Sequence, residues 1–374
     1  MSITREQTQS TKRVVVALSG GVDSSVAALL LKQEGYNVEC LYMKNWEEDD
    51  TDGYCADEAE VEDAMRVSDT LGVPLNTVNL STTYWDKVFS VFLDEYAAGR
   101  TPNPDILCNQ EVKFRAFADH VTQGTSAALV APFIATGHYA QLTLRNDRYL
   151  LRKGRDSSKD QSYFLHTLDQ GQLARTLFPL GDLHKSDVRR RANEAGLPTH
   201  DKKDSTGICF VGERPFRSFL QRYLPSQTGE IQDLKGRILG THSGVFYYTL
   251  GQRQGLGIGG RKDATDLPWY VVDKNIETNT LTVVQGHHHP ALLSSRVDAV
   301  KVHWISGVAP TPPYQCMAKT RYRQADQPCT ITSLTETACT VSFDQPQRAV
   351  TPGQSMVFYH GDVCLGGGII DRTS

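Results

Sequence analysis

The stretch that most constrains this chain lies near its start, where Arg13-Val-Val-Val-Ala-Leu18 runs straight into Ser19-Gly-Gly-Val-Asp-Ser-Ser25. An unbroken apolar run rich in β-branched residues predicts a strand buried on both faces, as in a parallel sheet covered by helices. A strand that ends in Ser-Gly-Gly and opens a helix aims backbone N–H groups and a helix N-terminus at one point, which suits an anion. Glycine is required there because the backbone turns sharply and must approach the bound group without a Cβ between them. The lysine-bearing phosphate loop is excluded, since no G-x-x-x-x-G-K-[ST] occurs in the sequence.

The pattern that follows supports the same fold class. A helix is expected from about Val26 to Gln33, closed at Gly35, then a strand over Asn37 to Met43. Asp57 to Leu71 reads as a helix with Val61, Ala64, Met65 and Val67 on its apolar side. Leu75 to Leu80 reads as a strand, and Ser81 to Ala98 as a helix capped by Ser81. Alternating strands and helices predict a parallel sheet that binds ligands at the carboxyl ends of its strands. Gly99 to Cys108 breaks the pattern with Pro102 and Pro104, and a helix is expected to restart near Asn109. A strand over Val130 to Thr136 leads to Gly137-His138-Tyr139, a hairpin is expected about Asn146-Asp147, and helical pattern returns over His184 to Ala195. From Gly212 the chain becomes glycine-punctuated, and after Gly286 short alternating runs predict a small closed barrel. The expected domains are therefore 1–212, 213–283 and 284–374.

Length and composition agree with this division. A chain of 374 residues exceeds one ordinary core, and 39% hydrophobic with 22% charged residues describes a packed protein rather than a disordered one. No apolar run approaches a membrane span, and the first thirteen residues lack an apolar signal core, so a cytoplasmic location is expected. The net charge of −4 does not advertise nucleic-acid binding, although basic residues can be confined to one face. Arg189-Arg190-Arg191 with Lys202-Lys203, and Lys319, Arg321 and Arg323, are candidate patches or simply solvated surface. None of the eight cysteines forms C-x-x-C, which argues against a zinc ribbon or a thioredoxin-type site. Cys40 reads as strand interior, Cys316, Cys329, Cys339 and Cys364 as packed barrel residues, and Cys55 has no evident role. The His287-His288-His289 run reads as loop and not as a metal site. The glycines of Gly251 to Gly260 read as structural, shaping an RNA-facing or interdomain hairpin.

Three segments carry chemistry. Ser19-Gly-Gly-Val-Asp-Ser matches the SGGxDS loop of enzymes that cleave ATP between the α- and β-phosphates and adenylate a substrate, with Asp23 positioned for Mg²⁺ or pyrophosphate. In Thr101-Pro-Asn-Pro-Asp-Ile-Leu-Cys108-Asn109, a carboxylate and a thiol sit three apart at a helix start. The helix dipole would lower the thiol pKa there, and an ionised Asp105 would oppose that shift. A capping aspartate with a buried cysteine fits the bare pattern better. In Asp201-Lys-Lys-Asp-Ser-Thr-Gly-Ile-Cys209-Phe210 two lysines favour a thiolate, although a structural cysteine is as consistent with that stretch alone.

Taken together these segments closely resemble the tRNA-specific 2-thiouridylases. The resemblance rests on SGGVDSS at 19–25, TPNPDILCN at 101–109, TGHYA at 136–140, KDQSYFL at 159–165, DSTGICFVGER at 204–214, GQRQGLGIGG at 251–260 and RYR at 321–323. It covers nearly the whole chain, with no departure at these positions. It implies an adenine nucleotide α-hydrolase-like domain, a small central domain and a C-terminal β-barrel. It also implies ATP with Mg²⁺ as cofactors, bound by Ala17, Leu18, Ser19, Gly20, Gly21, Val22, Asp23 and Ser24, with Met43 and Gly137 near the adenine. In such enzymes a wobble uridine is adenylated at O2. A persulfide on Cys209, delivered by a sulfur-relay protein, then attacks C2, and Cys108 resolves the adduct. Asp105 would serve as acid and base. Asn103, Pro104 and Asp105 would meet the target base, and Lys159, Asp160, Gln161, His138, Arg321, Tyr322 and Gln354 would hold the tRNA. The alternative is a synthetase with the same loop that adenylates a small molecule, which would need neither the cysteine pair nor the barrel.

Overall fold

The computed structural model describes residues 12–47, 56–123, 132–204, 216–225, 227–259 and 266–374. Cys209 and Cys55 lie outside them, as does the start of the strand expected from Val130. Among the described residues no helix is long and apolar enough to cross a membrane.

The first sheet is parallel. Its strands are β1 (Arg13–Ala17), β2 (Asn37–Lys44), β3 (Leu75–Asn79), β4 (Phe133–Ala135) and, after the hairpin β5 (Ala140–Arg145) and β6 (Arg148–Lys153), β7 (Thr176–Leu177). They are ordered β3-β2-β1-β4-β7, so β1 is central. Its alternate residues feed two separate cores, which is why the run is apolar without a break. Val14 and Val16 pack with Val26, Ala27 and Leu31 of the Val22–Gln33 helix, and with Val188 and Ala192 of the Lys185–Glu194 helix. Val15 and Ala17 face the other way, into a core shared with Ile106, Cys108, Val112 and Phe114. The phosphate-loop helix and the cysteine helix thus cover opposite faces of one sheet.

Two local expectations are corrected. The helix expected near Asn109 starts earlier, at Pro104–Leu107, and continues as a nine-residue π-helix, Cys108–Ala116, before Phe117–Gln123. Proline suits the first helical turn, where no N–H bond is lost, and Asn103 Oδ1 caps it by accepting from Asp105 N at 3.1 Å. Ser81 is not a cap. Its backbone N–H and hydroxyl both donate to Asn79 Oδ1, and the chain then passes through Ser81–Tyr84, a π-turn Trp85–Phe89, and Ser90–Ala97.

The central region is a four-stranded sheet of β8 (Gly229–Gln232), β9 (Ile238–His242), β10 (Trp269–Asn275) and β11 (Thr280–Gln285), ordered β10-β11-β8-β9. The described part of the expected glycine hairpin, 251–259, is turn and coil. There Leu256 enters the central core, and a Cβ on Gly251 would lie 2.5 Å from Ala349 Cβ, so this stretch packs against the last domain.

That last domain comprises β12 (Leu293–Trp304), β13 (Tyr314–Lys319), β14 (Gln327–Leu334), β15 (Ala338–Arg348), β16 (Ser355–His360) and β17 (Val363–Thr373). The β12–β17 pairing closes these six strands into a barrel. Cys316, Cys329, Cys339 and Cys364 are all buried in its strands. The β5–β6 hairpin turns at Asn146 and Asp147, with φ of 50° and 57°, the left-handed conformation that tight hairpins need. Although it interrupts the first sheet's sequence, it joins the barrel's sheet through β6 and β17. Ion pairs Arg152–Asp362 and Lys153–Asp326, and Tyr163 Oη donating to Ser355 O at 2.8 Å, fasten the first domain to the last.

Candidate functional site

The phosphate loop is shaped by contacts no side chain could share. Gly20 has φ +68°, and a Cβ there would sit 2.5 Å from Glu60 O. Gly21 stands at the N-cap of the Val22–Gln33 helix without a side-chain cap, which leaves the first-turn N–H groups for an anion. Ser24 Oγ accepts from Ser19 N at 3.2 Å and donates to Gly21 O at 3.0 Å, tying the loop into a closed turn. Ser25 Oγ donates to Gly21 O at 2.8 Å and accepts from Thr199 Oγ1 at 3.1 Å. Gly137, at the carboxyl end of β4, packs so closely that a Cβ would meet Ser24 N at 2.7 Å. Ala17 and Leu18 are buried beneath the loop, Val22 is buried, and Met43 lies half-buried at the end of β2. A cradle this bare of side chains fits a nucleotide phosphate tail.

Asp23 is the second residue of that helix and the centre of a charged cluster. Tyr139 Oη donates to its Oδ1 at 2.7 Å, and Lys185 Nζ lies 2.8 Å from both its oxygens. Lys185 Nζ is also 2.8 Å from Asp204 Oδ1. Asp204 receives Lys159 Nζ at 2.6 Å and Arg189 Nη2 at 2.9 Å. Burial alone would raise the Asp204 carboxyl, but hydrogen bonds and charge from Lys159 and Lys185 outweigh it and hold the group at about 2. The Tyr139 phenol is pushed up by burial and then by the Asp23 carboxylate it faces. Close by, Lys202 Nζ reaches Gly20 O at 3.0 Å and Asp63 Oδ2 at 2.6 Å. Arg189 and Lys202, from two stretches that read as basic surface, therefore turn inward, while Arg190 stays exposed.

The cysteine element has the opposite character. Cys108 is fully buried at the start of the π-helix, among Ile106, Val112 and Phe114. Asn109, 2% exposed, donates to Phe164 O at 3.4 Å. Thr101 Oγ1, Asp105 Oδ1 and Asn109 Oδ1 are buried without a hydrogen-bond partner among the described residues. The barrel braces this element. Thr101 N donates to Pro352 O at 2.9 Å, and Gln354 Nε2 donates to Thr101 O at 2.7 Å. Gly353 has φ +92°, and its missing Cβ would lie 2.8 Å from Thr101 N.

The remaining expected RNA-contacting residues are placed as follows. His138 is buried, with Nδ1 2.8 Å from Thr136 Oγ1 and its ring 5.9 Å from that of Phe114. Burial, then the charge of Lys113, lowers its pKa well below the ordinary histidine value. Asp160 is buried, its Oδ1 accepting from Gly154 N and Ser162 N at 3.1 Å each. Gln161 Oε1 accepts from Tyr139 N at 3.0 Å. Tyr322 packs on Phe164 with ring centroids 4.3 Å apart, and Arg321 Nη2 donates to Ala349 O at 2.5 Å. Asn103, Pro104, Asp105, Tyr322 and Gln354 thus gather around the cysteine helix, while Lys159 belongs to the phosphate cluster. Sequence reasoning did not single out Tyr139, Lys185 or Asp204 as site residues, and named Arg189 only within a candidate basic patch. Tyr139 and Asp204 lay inside quoted motifs, and Lys185 had no motif to mark it. Among the described residues no group of three histidine, cysteine or acidic side chains is arranged to hold a metal.

Residues 12–213 match the family described as the tRNA methyl transferase HUP domain. Residues 217–285 match the tRNA methyl transferase PRC-barrel domain, and 294–370 the aminomethyltransferase beta-barrel domain. Curated relatives are similar along almost their full length. A tRNA-specific 2-thiouridylase MnmA of Nitrosomonas eutropha is 58% identical over 358 residues, covering 96% of this chain and 98% of that protein. Its namesake in Pseudoalteromonas translucida is 56% identical, with 96% and 98% covered. One from Francisella tularensis subsp. holarctica is 55% identical, with 96% and 99% covered.

Proposed function

The chain belongs to the tRNA-specific 2-thiouridylase family, and from that premise we propose that it is an ATP-dependent tRNA-uridine 2-sulfurtransferase acting on the wobble uridine. The observation that carries the reading is the junction at the end of β4. There Gly137 packs against the phosphate loop at Asp23 and Ser24, and the adjacent His138 packs against Phe114 of the cysteine helix. Two elements on opposite faces of the sheet meet at one carboxyl edge, where open sheets of this kind bind ligands.

The loop N–H groups would bind the triphosphate of ATP, and Asp23 would hold a Mg²⁺ ion, which would supply neutralisation of the phosphate charge. Uridine O2 attacks the α-phosphorus. The bond to the β-phosphate breaks, its electron pair leaves with pyrophosphate, and the uracil N3 proton passes to Asp105 or solvent. The terminal sulfur of a Cys209 persulfide then adds to C2 and AMP departs with the former O2. Cys108 thiolate attacks the Cys209 sulfur, so the thiolated base leaves with that electron pair and takes its proton back. The two cysteines end as a disulfide, which an external dithiol must reduce. Because Cys108 is buried, this step requires the cysteine helix to shift as the RNA docks. A persulfide carrier and a cytoplasmic setting complete the proposal.

The test is to incubate the protein with ATP, Mg²⁺, a persulfide source and unmodified tRNA, then weigh the digested nucleosides. A uridine that exchanges oxygen for sulfur in the wild type, and does not in Cys209→Ser or Asp23→Ala, is the expected result. An unchanged tRNA, with ATP cleavage driven by a small molecule instead, would overturn it in favour of a synthetase.

A further inference from the structure

The proposed sulfur-transfer scheme leaves one built feature unused, the half-buried cations gathered beside the phosphate loop. Lys185 opens the Lys185–Glu194 helix, its side chain is 12% exposed, and its backbone N–H is fixed by Asp156 Oδ2 at 2.9 Å. Its ammonium lies between Asp23 and Asp204, 2.8 Å from each, and 5.9 Å from the Tyr139 ring centre. Lys159 and Arg189 also converge on Asp204, Lys159 at Oδ2 and Arg189 at the Oδ1 that Lys185 shares. Three cations therefore gather on Asp23 and Asp204 beside the loop, with Asp156 as a third carboxylate at the Lys185 backbone. Burying a lysine is costly unless opposite charge surrounds it, and the carboxylate that Lys185 holds most fully is the loop's own Asp23.

Resting on the reading that this loop takes ATP, we propose that Lys185, assisted by Lys159, is a phosphate-binding residue that grips the β- and γ-phosphates and stabilises the departing pyrophosphate. The loop N–H groups form one wall of the site and these ammonium groups the other. Before nucleotide arrives, Lys185 neutralises Asp23, which would otherwise repel a polyanion. When the bond between the α- and β-phosphates breaks, the pyrophosphate gains one negative charge, and a preplaced ammonium favours that state over the bound substrate.

The test is calorimetric binding of inorganic pyrophosphate, ATP and AMP to the full chain and to Lys185→Met, Lys185→Arg and Lys159→Met. For Lys185→Met, affinity for pyrophosphate and ATP should fall about ten- to a hundredfold, the loss expected for one charge-assisted contact. AMP affinity should stay within about twofold of wild type, which also reports that the variant is folded. Lys185→Arg should recover most of the loss, and Lys159→Met should show a smaller fall in the same two ligands. If Lys185→Met binds pyrophosphate and ATP as wild type does, the proposal is wrong and the ATP reading stands. If wild type itself binds neither ATP nor pyrophosphate, the ATP reading fails and this assignment fails with it.

Discussion

Around the phosphate loop, Asp23, Lys185, Asp204, Lys159 and Arg189 each meet an opposite charge. On the other face of the sheet, Thr101 Oγ1, Asp105 Oδ1 and Asn109 Oδ1 are buried without a partner among the described residues, in a surround of apolar side chains. The two regions sit under the same strand, since Val14 and Val16 face one and Val15 and Ala17 the other. Under the proposed function, the difference reflects what each must recognise. A site for a polyanion needs strong cations, and these are tolerable in the folded protein only when its own carboxylates balance them. A site for a neutral base needs hydrogen-bonding atoms held in a dry, shaped wall, where each oxygen without a partner costs stability. One end should therefore respond to charge, and the other to shape.

The sharpest separation is chemical. Cys108→Ser should reduce tRNA thiolation to background while ATP affinity, read by calorimetry, stays at the wild-type value. Equal loss of both would mean that the two ends are not separable. Asp23→Asn should keep the loop's shape but remove its charge, lowering the thiolation rate by about a hundred- to a thousandfold. An unchanged rate would dissociate the charged cluster from the reaction.

Acid should take the two ends apart in order. His166, on the cysteine-helix side, is buried with Nδ1 2.9 Å from Tyr163 O, and burial holds its pKa down at about 4. Its folded value lies below its unfolded one, so the stabilisation is complete above about pH 6.5 and is lost as pH falls towards 4. The loss should reach roughly 3 kcal/mol in denaturant titrations, and His166→Gln should flatten it. Asp204 is also depressed, to about 2 from 3.8, so its contribution persists above pH 3.8 and fades only as pH falls towards 2. Stability that drops first in the lower window would reverse the assignment. Gly353→Ala attacks shape alone. At φ +92° with Thr101 N 2.8 Å from the added carbon, it should cost about 1–3 kcal/mol of stability. Turnover should slow, while ATP affinity remains intact. As the low end of the scale, Arg66→Ala removes an exposed pair with Glu62 on the helix surface and should leave the melting temperature unchanged.

Much of the phosphate end was legible because its constraints are local. A β-branched run, two glycines and the start of a helix are consecutive, so spacing alone expressed the turn and its anion preference. The Asn146-Asp147 hairpin was readable for the same reason. The cysteine element was legible as residues but not as geometry. Its helix starts at Pro104 rather than near Asn109, because Asn103 caps it and proline occupies a turn that needs no N–H. The long π-helical turn at Cys108–Ala116 left no mark in the periodicity.

What the sequence by itself determined, then, is the parallel sheet with its loop and the C-terminal barrel. These follow from periodicity, glycine placement and short spacings, all of which act over a few residues, whereas the sulfur chemistry was expected only from the resemblance of whole motifs to a family. Only the tertiary structure decided that Lys185 pairs with Asp23 across 162 positions, that Gln354 and Gly353 brace Thr101 from the barrel, and that the β5–β6 hairpin belongs to the barrel's sheet. Such partners are chosen by which surfaces packing brings together, and an ion pair or a missing Cβ has no period along the chain.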